Sequence, residues 1–229
     1  MMNSPLSRYQ LSNALEQAFI SPARVLTKSR GKNIHRYASI KMRTIVSVES
    51  TLEFDACFHF DFNREILRFC SQPIRVAYEF EGKKRTYVPD FLVQFDCGTF
   101  VLYEIKPDKY TKTEQFKLEF EAKKNAIKDS LNVDLELVEE SSIRVTSLLN
   151  NLKKIHRYSS FTNLSDTQET LINHIHTYGS QCIETLILKT GMSKQAILPV
   201  IYDLISKCIL QADLYNPLTE RTKLRLSYA

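Results

Sequence analysis

The sequence of 229 residues is short of several things that would point to particular classes of protein. No apolar run approaches the ~18 residues that a membrane span needs, so no partner membrane is expected. The opening residues, MMNSPLSRYQ, hold no apolar signal core. The five cysteines, Cys57, Cys70, Cys97, Cys182 and Cys208, are odd in number and never spaced CxxC. That argues against a disulfide scaffold or a zinc site and for reduced thiols in the cytoplasm. Cys57, Cys70 and Cys208 lie in apolar surroundings and read as small core residues. The five histidines show no HxxxH or triad spacing and read as surface or packing residues. Internal repeats and low-complexity tracts are missing. So is any acidic residue between Gln17 and Val48.

With 43% hydrophobic and 25% charged residues, the chain can bury a core. The formal charge of +5 is unevenly spread. Residues 1–48 carry eight Lys and Arg against one acid, whereas residues 49–136 carry thirteen against seventeen and residues 166–229 six against six. The acid-free stretch holds Arg24, Lys28, Arg30, Lys32, Arg36, Lys41 and Arg43. Such a segment suits a polyanion, because each cation that neutralises a phosphate releases counterions. A basic tail without a partner is the plainer alternative.

Residues 5–19 predict a short helix, and the polar stretch after Pro22 an extended arm, so residues 1–45 read as a basic N-terminal helix and arm. Residues 47–62, SVESTLEFDACFHFDF, place Leu52, Ala56 and Phe60 four apart, which is helix spacing. Strands are predicted over 72–80, 86–95 and 100–106, with Gly82 and Gly98 in the turns between them. A helix over 111–129 and a strand over 133–139 complete an αβββαβ order within 46–140. A helix between the last two strands permits a parallel crossover, so the fold class is α/β with a mixed sheet. Residues 141–165 contain a possible short helix and a Ser/Asn-rich stretch, and read as a linker. Over 166–229, three helical patterns and a strand pair follow the order of a winged helix. Gly191 is placed as a helix stop, Ser193 as the next N-cap, and Pro199 as a kink.

The strands RTYVPDFLVQF and FVLYEIKP carry charges where Val and Ile would be ordinary. Glu104 and Lys106 are two apart and share one face of their strand. Pro89 marks an edge or bulge beside Asp90. If the DCGT turn sets the register, Asp90 meets Glu104 across the pair. Two carboxylates at one point call for a cation. A hard ion such as Mg²⁺, for which Mn²⁺ can substitute, takes oxygen ligands of the kind that Asp90, Glu104 and the Ile105 carbonyl offer. Such an ion polarises a phosphate and acidifies water, while Lys106 would position that water or stabilise developing charge. Glu53, on the upstream helix, is the candidate for an extra carboxylate, to bind a second metal ion or help orient the water. The bland alternative is a surface hairpin with a same-face ion pair worth ~0.2–1 kcal/mol.

Pro89-Asp90 and Glu104-Ile105-Lys106 resemble the signature of the PD-(D/E)xK nuclease superfamily, which implies a restriction-endonuclease-like core. SVESTLE, FCSQPIRVAY, YVPDFLV and YEIKP further resemble the TnsA family, over about residues 30–140. Beyond them the resemblance is one of layout. It implies a metal-dependent DNA endonuclease of a bacterial cut-and-paste transposon. That enzyme cuts the 5′ ends of double-stranded transposon DNA, on the strand that is not transferred. It works with a TnsB-like transposase and a TnsC-like AAA+ ATPase. The resemblance also implies an active site of Glu53, Asp90, Glu104 and Lys106. Some members carry Gln at the Glu104 position; this chain keeps the carboxylate. Gln72 of the QP step matches the family too, and is a candidate either for DNA contact or for backbone hydrogen bonding. The balanced charge of 166–229 favours protein docking there over base reading. A stand-alone restriction or repair nuclease, and a non-catalytic adaptor on a relic fold, are the competing functions.

Overall fold

The computed structural model describes residues 8–24, 26, 33–160 and 162–227. It divides into two compact units, one ending at Arg144 and the other beginning at Val145. In the first unit, helix α1 (Arg8–Ile20) precedes a hairpin of β1 (His35–Ser39) and β2 (Thr44–Val48), and then helix α2 (Thr51–Phe62). The hairpin corrects the expectation of an extended arm, and β2 takes residues that had been read as the start of the helix. Its cause is a contact distant in sequence. Asp61 of α2 accepts hydrogen bonds from Tyr37 Oη (2.9 Å), Ser39 Oγ (2.6 Å), Ile40 N (2.9 Å) and Lys41 N (2.9 Å). One buried carboxylate thereby gathers the hairpin turn onto the helix.

A four-stranded sheet follows, built from β3 (Ile66–Ser71), β6 (Phe91–Phe95), β7 (Phe100–Lys106) and β8 (Asp134–Glu139) in that order. Between β3 and β6 the chain makes a separate hairpin of β4 (Val76–Phe80) and β5 (Lys83–Tyr87). The mixed sheet is as expected, since β3–β6 and β6–β7 are antiparallel and β7–β8 parallel. The identity of its first strand is corrected. Residues 66–71 fill that place, while the strand read over 72–80 belongs to the hairpin. The strand read over 86–95 is also two elements. Pro89 has no N–H for a ladder, so β5 and β6 part at the Pro89-Asp90 step. The β4–β5 turn is Glu81-Gly82, both at positive φ (53° and 69°), the pattern of a two-residue hairpin that follows strand twist.

Helices α3 (Asp108–Thr111) and α4 (Glu114–Leu131) make the crossover to β8, and α5 (Glu140–Ile143) closes the unit. The sheet is covered on both faces. On one, Phe60 of α2 meets Phe69, Phe91 and Tyr103 with ring centroids 5.5, 5.0 and 5.6 Å away. On the other, Leu92, Leu102 and Leu135 pack with Leu15 and Ala18 of α1 and Ile127 and Leu131 of α4. Each such large aliphatic side chain contributes about 1.5–3 kcal/mol by leaving water.

The second unit starts with α6 (Thr146–Tyr158), so residues 141–165 are not simply a linker. Then come α7 (Asp166–Tyr178), β9 (Gln181–Cys182), α8 (Ile183–Thr190), α9 (Lys194–Ser206), β10 (Leu210–Gln211) and β11 (Lys223–Leu226). The strands form one small antiparallel sheet in the order β10-β11-β9. Gly191 ends α8 at φ 68°, and Ser193 caps α9 by accepting from Ala196 N at 3.3 Å. Helix α9 runs through Pro199, which lacks the N–H that would bond the Gln195 carbonyl. Among the described residues no helix is long and apolar enough to cross a membrane.

Candidate active site

The β6–β7 register pairs Phe91 with Tyr103 and Leu92 with Leu102. Carried one residue further, it sets Asp90 opposite Glu104. Asp90 is fixed from three sides: its N–H donates to the Tyr103 carbonyl (3.0 Å), its carbonyl accepts from Gln72 N (2.9 Å), and its Oδ2 accepts from Ile105 N (2.8 Å). The side chain thus takes over a ladder position that the strand break leaves open. Gln72 sits at φ 51°, is buried, and accepts from Ala23 N at 2.9 Å, so its backbone ties the end of β3 to the Pro-Asp step. These bonds are made by the Gln72 main chain.

Lys106 lies in the middle of this group. Its Nζ is 2.5 Å from Glu104 Oε1, 3.7 Å from Asp90 Oδ2, and donates to the Ile105 carbonyl at 3.3 Å. Of the four groups read as metal ligands, Asp90, Glu104 and the Ile105 carbonyl therefore converge on one positive charge, and Glu53 makes no ion pair with it among the described residues. Both carboxylates are withdrawn from water, with side-chain exposures of 13% for Asp90 and 5% for Glu104. Burial, and then the charge of Glu104, pushes the Asp90 carboxyl well above its ordinary range. Burial alone would lower Lys106, but the charges of Asp90 and Glu104 outweigh it and raise the ammonium.

Glu104 has a further partner that sequence reasoning missed. The Tyr87 hydroxyl donates to its Oε2. A tyrosine in a strand is unremarkable in a sequence, and no local signal sets this one apart. Burial, and then Glu104, raises the Tyr87 phenol well above its ordinary value. The Lys123 ammonium of α4 stands 4.8 Å from the Tyr87 ring centre.

Glu53 is buried, and its charge acts on both Lys106 and Asp90. Its oxygens are nevertheless committed locally. Oε1 accepts from Ser50 Oγ (2.7 Å) and Oε2 from Glu49 N (3.0 Å), while Glu53 N donates to Ser50 Oγ (3.1 Å). Ser50-Thr51-Leu52-Glu53 has the S-x-x-E spacing of a capping box, but the Glu53 side chain reaches Glu49 N and the Ser50 hydroxyl rather than the Ser50 N–H. Asp90 and Glu104 share the face of Leu92 and Leu102, whereas α2 covers the opposite face, and Glu53 lines one pocket with Ile105 and Lys106. Burial raises the Glu53 carboxyl, against the bonds from Ser50 and Glu49. The substitution Glu53→Gln separates its two roles, because the amide oxygen still accepts at the helix start while the charge is removed. Thermal melting is expected to hold within about 0.5 kcal/mol. DNA cleavage is expected to fall at least about tenfold if the carboxylate itself acts on the chemistry.

Two carboxylate oxygens and a carbonyl oxygen around one point are the donor chemistry of Mg²⁺ or Mn²⁺, which keep waters for their remaining positions. Asp90, Glu104 and Ile105 fit such an ion. Among the described residues, no cluster of three or more His, Cys, Asp and Glu side chains is arranged to hold one.

Of the basic residues read as DNA contacts, Lys28, Arg30 and Lys32 lie outside the described residues. Arg36 is exposed on β1, and Arg43 is exposed in the hairpin turn at φ 51°. Lys41 Nζ donates to the Asn63 carbonyl (2.6 Å) and to that of Ile66, which ties the turn to the start of β3. It is engaged within the protein.

Residues 63–140 match the family model of the TnsA-like endonuclease N terminal. The match takes in β3 to β8, and with them Asp90, Glu104 and Lys106, while Glu53 lies before it. No curated protein matches the chain.

Proposed function

We propose, for a chain that carries a TnsA-like endonuclease domain, that it is a Mg²⁺-dependent DNA endonuclease cutting the 5′ ends of a transposon on the strand that is not transferred. The observation that carries this reading is the convergence of Asp90 Oδ2, Glu104 Oε1 and the Ile105 carbonyl on the Lys106 ammonium. Mn²⁺ would serve in place of Mg²⁺. Bound there, the ion supplies Lewis acidity toward a phosphate and toward water. Asp90 is held for that task by the Ile105 and Gln72 amides, so it need not reorganise. Lys106, released from its carboxylates, keeps a positive charge beside the reacting phosphate and steadies the negative charge that builds up there. Glu53 adds a buried negative charge that keeps Lys106 protonated. Exposed Arg36 and Arg43, together with Lys28, Arg30 and Lys32 of the acid-free stretch, contact the DNA backbone. Sequence choice then comes from partners, a TnsB-like transposase and a TnsC-like ATPase.

The element order α7-β9-α8-α9-β10-β11, with its small three-stranded sheet, supports a winged-helix reading of the C-terminal unit. Its third helix is poorly suited to enter a groove. Residues Ile201 to Ile205 of α9 are buried, and Tyr158 of α6 stacks on Tyr202 at 5.5 Å. The lysines of the helix and its C-cap have acidic partners, Lys194 with Glu220 (2.9 Å) and Lys207 with Asp203 (2.6 Å). Docking to a protein partner suits this unit better than reading bases.

Strand-resolved cleavage of transposon-end duplexes, with and without the TnsB-like and TnsC-like partners, tests the whole reading. Mg²⁺-dependent 5′-end nicks that vanish in Lys106→Ala are expected. Efficient cleavage of any duplex without partners would favour a stand-alone nuclease. The same nicks in EDTA would leave only an adaptor.

A further inference from the structure

Glu104 has both oxygens spoken for by different partners within the site. Oε1 faces the Lys106 ammonium at 2.5 Å, and Oε2 accepts the Tyr87 hydroxyl. An ion arriving where Lys106 now stands meets Oε1 alone. To take both oxygens, it would have to break the Tyr87 bond inside a pocket where Glu104 is almost fully buried.

Tyr87 is not easily turned aside. It ends β5, paired with Val76 of β4, its ring meets that of Tyr78 edge-on at 6.4 Å, and the Lys123 ammonium faces it at 4.8 Å. Lys123 is itself held by Glu119 at 3.3 Å, and the Tyr78 hydroxyl donates to Glu119 at 2.5 Å. A cation over the ring makes the phenol a stronger donor toward the carboxylate. The hydroxyl thus has one acceptor and a rigid mount.

From this we infer that Tyr87 determines the metal selectivity of the site, by restricting Glu104 to a single coordinating oxygen. The inference rests on the metal-dependent reading above. Mg²⁺ demands near-ideal octahedral geometry and is content with single oxygens and water. Ca²⁺ takes six to eight oxygens and readily accepts both from one carboxylate. A site that withholds Oε2 favours the smaller ion. Tyr87 is a positioning residue, since it acts through Glu104 and touches neither ion nor DNA.

Titration calorimetry of Mg²⁺ and Ca²⁺ with the full-length protein, without DNA, tests this. Tyr87→Phe removes one hydroxyl and keeps the ring. Its preference for Mg²⁺ over Ca²⁺ is expected to fall about tenfold, the usual scale for an outer partner of a metal ligand. Purely structural loosening would weaken both ions alike and leave the ratio unmoved. Glu104→Gln, whose amide has one oxygen to give, is expected to bind both ions more weakly while keeping the wild-type preference. An unchanged ratio in Tyr87→Phe, or a preference lost in Glu104→Gln, overturns the role given to Tyr87. Wild-type protein that binds neither ion would instead overturn the metal-dependent reading itself.

Discussion

Asp90→Asn is expected to abolish cleavage and to leave the protein at least as stable as the wild type in metal-free buffer. The two effects share one cause. Asp90 lies opposite Glu104 on the same sheet face, buried, with its carboxyl pushed up by burial and by that neighbour. In the absence of an ion Lys106 is the cation that offsets the repulsion, with the Ile105 amide beside it, and Lys106 is closer to Glu104 (2.5 Å) than to Asp90 (3.7 Å). Asn keeps an oxygen for the Ile105 amide and removes the charge. Stability is therefore expected to rise by about 1 kcal/mol, as when a site strained for function is relaxed. Cleavage is expected to fall at least about a thousandfold, because in the proposed function the lost carboxylate is one of two that would hold the ion, and such an ion contributes several kcal/mol to the transition state. Denaturant melts in EDTA and single-turnover cleavage in Mg²⁺ measure the two sides. Wild-type cleavage would remove Asp90 from the chemistry. A loss of more than about 2 kcal/mol would mean that the carboxylate serves the fold.

This site was legible in the sequence because its determinants are local. A Gly-containing turn and the two-residue period of strands leave few registers, and the observed one pairs Asp90 with Glu104. Elements set by distant contacts were not legible in the same way. The β1–β2 hairpin depends on Asp61, which lies 20 to 24 residues from its partners. Strand β3 follows α2 through Asn63-Arg64-Glu65, which carries neither Gly nor Pro to mark a boundary. Its far end is set by the left-handed Gln72, whose N–H serves Asp90 eighteen residues on. Glu53 shows how one residue can satisfy two readings. Helix spacing puts it near the site, but the S-x-x-E helix start gives both its oxygens a structural use. Helix α6 was taken mostly for linker because polar residues surround it. Its apolar stripe of Leu149, Leu152 and Ile155 finds a place only once α9 is present.

The C-terminal unit is expected to depend on another buried charge, Asp203, more than on any single apolar residue. Asp203 accepts from Ser160 N (2.7 Å), Gln168 Nε2 (2.6 Å) and Lys207 Nζ (2.6 Å), and so joins the segment after α6 to α7 and α9. Lys207 also donates to the Ser160 carbonyl at 2.8 Å. Asp203→Ala would leave the ammonium without its counter-charge and the Ser160 and Gln168 amides without their acceptor, at a cost of about 3 kcal/mol. The acid dependence carries the same signature. Burial alone would raise the Asp203 carboxyl, but the bonds from Lys207, Ser160 and Gln168 outweigh it and hold it below its ordinary value. A carboxyl lowered by folding contributes stability that is complete above the unfolded value of about 4 and is lost as the pH falls through the folded one. Wild-type protein is therefore expected to lose stability in this unit below about pH 4, and Asp203→Ala to lack that part of the decline. Adding Lys207→Met to Asp203→Ala removes the unpaired cation and is expected to recover part of the loss, which a double-mutant cycle of melting curves measures. If Asp203→Ala alone melts within about 0.5 kcal/mol of the wild type at pH 7, the carboxylate is not what holds the three segments together.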